Sequence, residues 1–381
     1  MAGPVNAFEL LEKLREKTGK QVQGFSAFSN YLGMKAREKN VPLSGLFELT
    51  PLCNFDCRMC YIRLAPEQMD GQTLLPVGLW KTLMQQAWAA GMLSATLTGG
   101  ECLTYPGFDE LYLFLQSLGC RVIVLTNAFL LDADRVRFFR DHMPAKLQIT
   151  LYGQNDDVYE RVTGRRAFGI VSENIRRAVE AGLPVSLSVT PSGVLGEDAL
   201  ETLRTATALC PAVEVNSCIF PPREDTGRSS RRDEADTELY MRLYRLQDEL
   251  RGRTPVELDE DRLPPCGGPS REGAERGLRC GAGRSAFSID WQGTMSPCNN
   301  LVMIRAYPLR DGFPAAWESV NREARSWPGV PACEGCAYVG VCANCPANML
   351  RFAEPGQQPV GLCEQTRFLV RHGVRHIPAC E

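Results

Sequence analysis

The chain has 381 residues, 42 Lys and Arg against 45 Asp and Glu, and 16 cysteines beside only three histidines. Its net charge of -3 leaves no basic footprint for nucleic acid or an anionic membrane surface. Charges throughout residues 9–20 exclude an export signal, and no apolar run approaches the ~18 residues of a membrane span. A cytoplasmic location is therefore expected, where so many cysteines bind metal rather than pair. His142, His372 and His376 are the only histidines, and the last two, though four apart, flank Gly373 in a tail, so a histidine metal site is not expected.

In chain order, the first 45 residues read as a helical extension with short helices near 6–18 and 24–38. From 46 to about 220, β-rich runs alternate with amphipathic stretches. Strands are expected at 46–50, 93–98, 121–126, 147–151, 185–190 and 212–217. Helices lie between them: Pro76 opens one that Gly91 ends, Gly107–Leu118 runs into Gly119, Asp132–His142 precedes Pro144, and Ser172–Ala181 meets Gly182. Six strand–helix units in series predict an α/β fold with a parallel sheet and right-handed crossovers, doubly wound or a partial barrel. A polar linker and a helix over Thr237–Arg251 fill 221–263, and a Pro- and Gly-rich segment marks a boundary before a cysteine-rich region at 264–381.

The chemistry concentrates in Cys53-x3-Cys57-x2-Cys60, which directly follows the first strand. Four thiolates normally hold a four-iron cluster, so a trio with no fourth cysteine before Cys102 leaves one iron open for another ligand. Zinc loops instead pair C-x2-C units and need a fourth ligand at similar range. The second strand ends in Thr98-Gly99-Gly100-Glu101: two glycines admit a closely approaching ligand, and a carboxylate or carbonyl accepts strong hydrogen bonds from an ammonium.

On Cys53, Cys57, Cys60 and the Gly-Gly-Glu run, the chain resembles the radical S-adenosylmethionine (SAM) enzymes. The resemblance implies a partial (β/α)6 barrel over 46–220 with its chemistry at the C-terminal strand ends. It also implies a [4Fe–4S] cluster on the three cysteines that chelates SAM and cleaves it reductively to a 5'-deoxyadenosyl radical, which removes a substrate hydrogen. By the same resemblance Gly99, Gly100 and Glu101 hold the SAM ammonium, Thr126, Asn127, Thr150, Tyr152 and Ser188 line its ribose and methionine portions, and Met59 or Tyr61 packs near adenine.

The tail run Cys333-x2-Cys336-x5-Cys342-x2-Cys345 and then Cys363, with Gly293-x4-Cys298 upstream, resembles the SPASM domain of peptide-modifying radical SAM enzymes. Carried over, Cys266, Cys280, Cys298 and Cys345 hold a first auxiliary cluster and Cys333, Cys336, Cys342 and Cys363 a second, three [4Fe–4S] clusters in all. Cys342 and Cys345 are one residue closer than the usual SPASM form, and Cys266 lies far before Cys280. Of the other five cysteines, Cys120 and Cys210 read as buried small hydrophobes, Cys218 and Cys380 carry no reading, and Cys102 reads as packing, with hydrogen-atom donor as the alternative.

The resemblance implies a maturase that crosslinks, epimerises or oxidises a peptide or protein substrate, fed by an external one-electron donor such as flavodoxin or ferredoxin. The short N-terminal extension leaves room for a separate precursor-binding protein. The pattern names no catalytic side chain. A sulfatase-maturing enzyme of the formylglycine-forming type is the alternative, although Asn299 stands where that subgroup carries an Asp base. A non-catalytic iron–sulfur electron-transfer protein is the second alternative.

Overall fold

The computed structural model describes residues 25–69, 71–216, 219–220, 236–253, 277–342 and 345–374. The expected helix at 6–18 and Cys218, Cys266 and Cys380 lie outside these. Helix α1 is Phe25–Lys39, followed by β1 (Ser44–Glu48), α2 (Val77–Ala89), β2 (Ser94–Thr98), α3 (Phe108–Ser117), β3 (Arg121–Thr126), α4 (Ala133–Asp141) and β4 (Lys146–Thr150). Then come α5 (Asp156–Thr163), α6 (Phe168–Glu180), β5 (Val185–Val189), α7 (Asp198–Leu209), β6 (Val213–Val215) and α8 (Thr237–Leu250). The C-terminal region adds β7 (Ala286–Ile289), β8 (Met295–Ser296), α9 (Phe313–Ser326) and α10 (Val360–Arg371).

All six expected strands form, and neighbours pair in parallel in sequence order from β1 to β6. Residues from all six strands or their ends line one cavity, the arrangement of a sheet curved into a partial barrel. Along β3 the outer Arg121 is exposed while Val122, Val124 and Thr126 are buried, the period-2 alternation that fixes register.

Two strands escaped the sequence reading. β7 pairs in parallel with the free edge of β1, Ser44 opposite Ala286, and β8 folds back on it antiparallel. The sheet therefore has eight strands and crosses the boundary expected near 264. These strands are too short for a periodic signal; β7 forms on the free edge of β1, and the turn between β7 and β8 brings β8 back onto it. The Asp290 carboxylate accepts from the backbone N–H of Gln292 (3.0 Å) and Thr294 (2.9 Å), and Gly293 takes a φ of 85°.

The core is continuous across that junction. Phe47 of β1 meets Trp80 of α2 edge-on at 6.1 Å and Phe287 of β7 at 5.9 Å, and Phe287 meets Phe313 of α9 at 5.2 Å. Such edge-to-face pairs add about 0.5–1.5 kcal/mol each beyond their area burial. Trp317 donates from Nε1 to the carbonyl of Asn40, and Asn321 donates from Nδ2 to the carbonyl of Gly283, so α9 locks the end of α1 to the segment that leads into β7.

Helix α6 starts at Phe168, four residues before the sequence boundary at Ser172. The Phe168 N–H is capped at 2.8 Å by the carboxylate of Asp156, which belongs to α5, so the start signal lies on another element.

Candidate active site

The cysteine trio sits where β1 leaves the sheet. Thr50 turns away over the glycine pair: Gly100 N–H donates to the Thr50 carbonyl (2.7 Å) and Glu101 N–H to the Leu52 carbonyl (3.0 Å). A Cβ on Gly99 would stand 2.4 Å from the Thr50 oxygen, and one on Gly100 2.4 Å from the Leu52 oxygen, so any side chain there would push the cysteine loop away. The loop is pinned on its other side by α5, with Asp56 N–H on the Thr163 carbonyl (2.8 Å) and Arg58 N–H on the Val162 carbonyl (3.2 Å). Helix α5 is thus a positioning element that the sequence reading did not single out, because its role is visible only once it docks.

Cys53, Cys57 and Cys60 all line a cavity of about 260 Å³. Backbone N–H groups already point at two of the sulfurs, Phe55 at Cys53 (3.4 Å) and Arg63 at Cys60 (3.3 Å), as the hydrogen-bond donors around ligating thiolates do. Burial pushes the Cys53 thiol up to about 12 and the Cys57 thiol well above its ordinary range. Three sulfurs on one cavity wall, two of them with preset N–H donors, and no fourth cysteine in that wall among the described residues, fit a cluster with one open iron.

Of the residues expected to contact SAM, Met59, Tyr61, Gly99, Gly100, Thr126, Asn127, Thr150, Tyr152 and Ser188 line this same cavity. Glu101 does not: it is buried behind the wall. Its Oε1 accepts from Thr126 Oγ1 (2.8 Å) and Leu103 N–H (3.1 Å), and its Oε2 from Asn127 N–H (2.7 Å). Burial raises its pKa against the pull of those donors. The carboxylate braces the turn from which Asn127 reaches Asn54 Oδ1 (2.8 Å) and approaches Cys53 Sγ (3.7 Å). Cys102 is also absent from the wall; its buried thiol donates to the Leu125 carbonyl at 3.1 Å, the packing arrangement. Cys120 and Cys210 are buried as read.

The wall contains residues not picked out from sequence. Gln148, Thr190 and Asn216 continue the polar strand ends, with Asn216 Nδ2 donating to Thr190 Oγ1 (2.8 Å) and Thr150 and Ser188 hydroxyls 3.2 Å apart. Period-2 spacing from Thr150 and Ser188 would have flagged Gln148 and Thr190. Arg63, Phe220 and Asn300 also line the cavity.

Asn299 joins the cavity from the C-terminal region and donates to the Tyr61 hydroxyl at 2.7 Å. Tyr61 also packs edge-on against Phe220 and belongs to the apolar cluster around Cys298 and Cys345. The residue after Cys60 therefore touches the residue after Cys298.

The described distal cysteines lie in two sets. Cys333, Cys336, Cys342 and Cys363 line one small cavity, with the Thr366 hydroxyl 3.3 Å from Cys342 Sγ. Cys280, Cys298 and Cys345 influence one another electrostatically, and burial pushes Cys298 up to about 12. The fourth expected member, Cys266, lies outside the described residues. Four sulfurs around one cavity suit a group several atoms wide.

Residues 47–207, which carry most of the sheet and the cysteine trio, match the family model of the radical SAM superfamily. The superfamily implies a [4Fe–4S] cluster and SAM. Sporulation killing factor maturation protein SkfB of Bacillus subtilis is 29% identical over 154 residues, 39% of this chain and 36% of SkfB, so the match spans little more than a third of that relative. AdoMet-dependent heme synthase of Methanosarcina barkeri is 25% identical over 81% of this chain and 92% of its own length. The fold is also that of Streptococcus suis SuiB bound to S-adenosylmethionine, with a TM-score of 0.65, 16% identity, and coverage of 94% of this chain and 87% of SuiB; SuiB has also been solved with its precursor peptide SuiA. No described helix is long and apolar enough to cross a membrane.

Proposed function

We propose that the chain is a radical SAM peptide or protein maturase holding three [4Fe–4S] clusters, one on Cys53, Cys57 and Cys60 and two on the C-terminal cysteines. The observation that carries the reading is a single cavity whose wall combines the cysteine trio, the strand ends expected to meet SAM, and Asn299 and Asn300 beside Cys298. The cluster and SAM, when bound, supply reductive cleavage of the sulfonium and abstraction of a substrate hydrogen.

This chain's residues prepare that chemistry. Phe55 and Arg63 N–H groups orient the sulfurs, Gly99 and Gly100 let the cysteine loop close over the second strand end, and Glu101 fixes Thr126 and Asn127 at the wall. The Tyr61–Asn299 bond ties the reacting cavity to the first auxiliary group. Electrons come from an external one-electron donor of the flavodoxin or ferredoxin type, and the clusters on Cys280, Cys298, Cys345 and, by the SPASM resemblance, Cys266, and on the second set, extend the path. The likeness to SkfB and the SuiB fold favour a peptide; the match along most of the heme synthase favours a small-molecule substrate as the second reading.

The test is anaerobic incubation of the reconstituted protein with SAM, a reductant and candidate precursor peptides deuterated at the target residue. Deuterium in 5'-deoxyadenosine and a mass change in the peptide are expected. Unlabelled 5'-deoxyadenosine and unchanged peptide across the set, with a labelled tetrapyrrole or other small molecule giving transfer, would move the assignment to the second reading.

A further inference from the structure

Asn127 lines the cavity and is expected to meet SAM, yet its side chain is already committed elsewhere. Its Oδ1 accepts from the Phe129 backbone N–H at 3.0 Å, which fixes the orientation of the carboxamide. The two hydrogens on Nδ2 therefore face the cysteine loop, where Nδ2 lies 2.8 Å from Asn54 Oδ1 and 3.7 Å from Cys53 Sγ. The backbone N–H donates to Glu101 Oε2 at 2.7 Å. No N–H of Asn127 is left over for a ligand in the cavity.

A ligating cysteine has lost its proton, so its sulfur only accepts, and the bond from Asn127 Nδ2 becomes charge-assisted. Cys53 then receives two N–H groups, from the Phe55 backbone at 3.4 Å and from the Asn127 side chain. Hydrogen bonds to ligand sulfurs are one of the levers that set a cluster's reduction potential, because they favour the form carrying the extra negative charge.

The turn that aims this donor is held from outside the cavity. Ala128 takes a φ of 60°, a left-handed conformation in which Cβ crowds the following carbonyl. Asn174 of α6 keeps it there, donating from Nδ2 to the carbonyls of Ala128 (2.9 Å) and Phe129 (3.2 Å). Asn174 Oδ1 in turn accepts from Arg177 Nη1 at 2.9 Å, so this carboxamide is fixed as well. Asn174 is buried and takes no part in the described cavity lining. A strained turn clamped by a distant helix, and ending in an N–H on a ligand sulfur, serves position at the site.

We propose that Asn127 tunes the cluster on Cys53, Cys57 and Cys60 by donating from Nδ2 to the Cys53 sulfur, and that Asn174 is the positioning residue that aims this donor. The bond makes the trio's cluster easier for the external one-electron donor to reduce. The assignment rests on the cluster reading of the trio.

The measurement is of potential, apart from turnover. The fully reconstituted chain is equilibrated anaerobically with redox mediators in the absence of SAM, and reduced cluster is counted by electron paramagnetic resonance. The trio's signal is the part that disappears when Cys53, Cys57 and Cys60 are all Ala. Asn127→Leu should lower the ratio of reduced to oxidised trio cluster about tenfold at a given potential, which is about 59 mV for a one-electron couple. Asn174→Leu removes a side chain remote from the cavity and should lower the same ratio about threefold, as the donor loses its aim. SAM affinity, measured by dialysis of the oxidised protein, should stay within about twofold in both variants, because no donor to SAM is lost. The parent chain with nitrogen-15 in its asparagine side chains gives a readout that needs no variant to fold: a nitrogen-15 coupling on the trio's reduced signal.

A potential that neither substitution moves, or a trio signal without the nitrogen coupling, overturns the assignment. So does a fall in SAM affinity at unchanged potential, since Asn127 would then be a SAM contact. A merely structural Asn174 would lower the melting temperature of Asn174→Leu and leave the potential in place, which also counts against it. A reduced spectrum that the triple Ala variant does not alter would overturn the cluster reading of the trio together with this assignment, whereas a trio signal indifferent to both asparagines overturns this assignment alone.

Discussion

The barrel and the C-terminal region both gather cysteines, yet they hold them in different ways. Around Cys53, Cys57 and Cys60 the scaffold is a parallel sheet with fully buried Phe47, Leu49, Val124 and Ile149, and the cysteine loop lies on a glycine turn and a helix end that exist without metal. Around Cys333, Cys336, Cys342 and Cys363 there are short helical turns and one longer helix. The second apolar cluster, which packs around Cys298 and Cys345 in the same region, is small, with buried Phe220, Leu278, Ala282, Leu301, Ala324 and Ala347. A site on a large core can lose its metal and keep its shape, whereas a site with few apolar contacts draws folding free energy from metal–ligand bonds.

The largest test of that contrast removes equal amounts of iron from the two regions. Full reconstitution should give about twelve irons per chain, four for each cluster. Ala at Cys53, Cys57 and Cys60 together should leave about eight, abolish SAM cleavage, and keep the far-UV spectrum and melting temperature of the parent. Cys333→Ala or Cys336→Ala should also lose about four, but with lower solubility and faster proteolysis within 277–374. Iron near four in the parent protein, or C-terminal variants that stay soluble with full iron, would remove the basis for treating the two regions differently.

Glu101→Gln comes next. Oε1 and Oε2 each face a backbone N–H, from Leu103 and Asn127, so a carboxamide must turn its NH2 against one of these donors whichever way it flips. A cost of about 1–3 kcal/mol to the fold and weaker SAM binding are expected, with iron content unchanged. Calorimetry and dialysis against SAM check both; a Gln variant with parent stability would show that the brace is dispensable.

A smaller change is expected from Asn299→Asp, which exchanges an N–H···O bond to Tyr61 for one in which the tyrosine hydroxyl donates. SAM cleavage should persist within about threefold, in keeping with a hydrogen bond worth about 0.5–1.5 kcal/mol net. Collapse of cleavage would make the junction between the two regions part of the chemistry.

The smallest effect is pH dependence of the iron-free protein. Folding raises the Cys53 thiol to about 12 and the Cys333 thiol to about 11, both mainly through burial. The folded state then binds protons that the unfolded chain releases from about pH 8.5 upward. Stability from these groups is whole below that pH and declines toward 11–12. Urea midpoints of iron-free protein should fall over that window, and less so when Cys53, Cys57 and Cys60 are Ala.

Local pattern carried much of this outcome. The C-x3-C-x2-C spacing, the Gly-Gly-Glu run and the alternation of Val122, Val124 and Thr126 are short-range features, so six strands and the cavity-lining positions from Met59 to Ser188 were legible before any contact was known. The joining of the two regions was not. β7 is four residues of ordinary composition that becomes a strand because β1 offers a free edge, and α6 begins where a carboxylate from α5 caps it. The turn of Glu101 away from the cavity, the docking of α5 under the cysteine loop, and the meeting of Tyr61 with Asn299 across 238 positions likewise depend on partners distant in sequence. Periodicity and spacing report what a segment can do alone; hydrogen-bond satisfaction and burial are settled only when the segments meet.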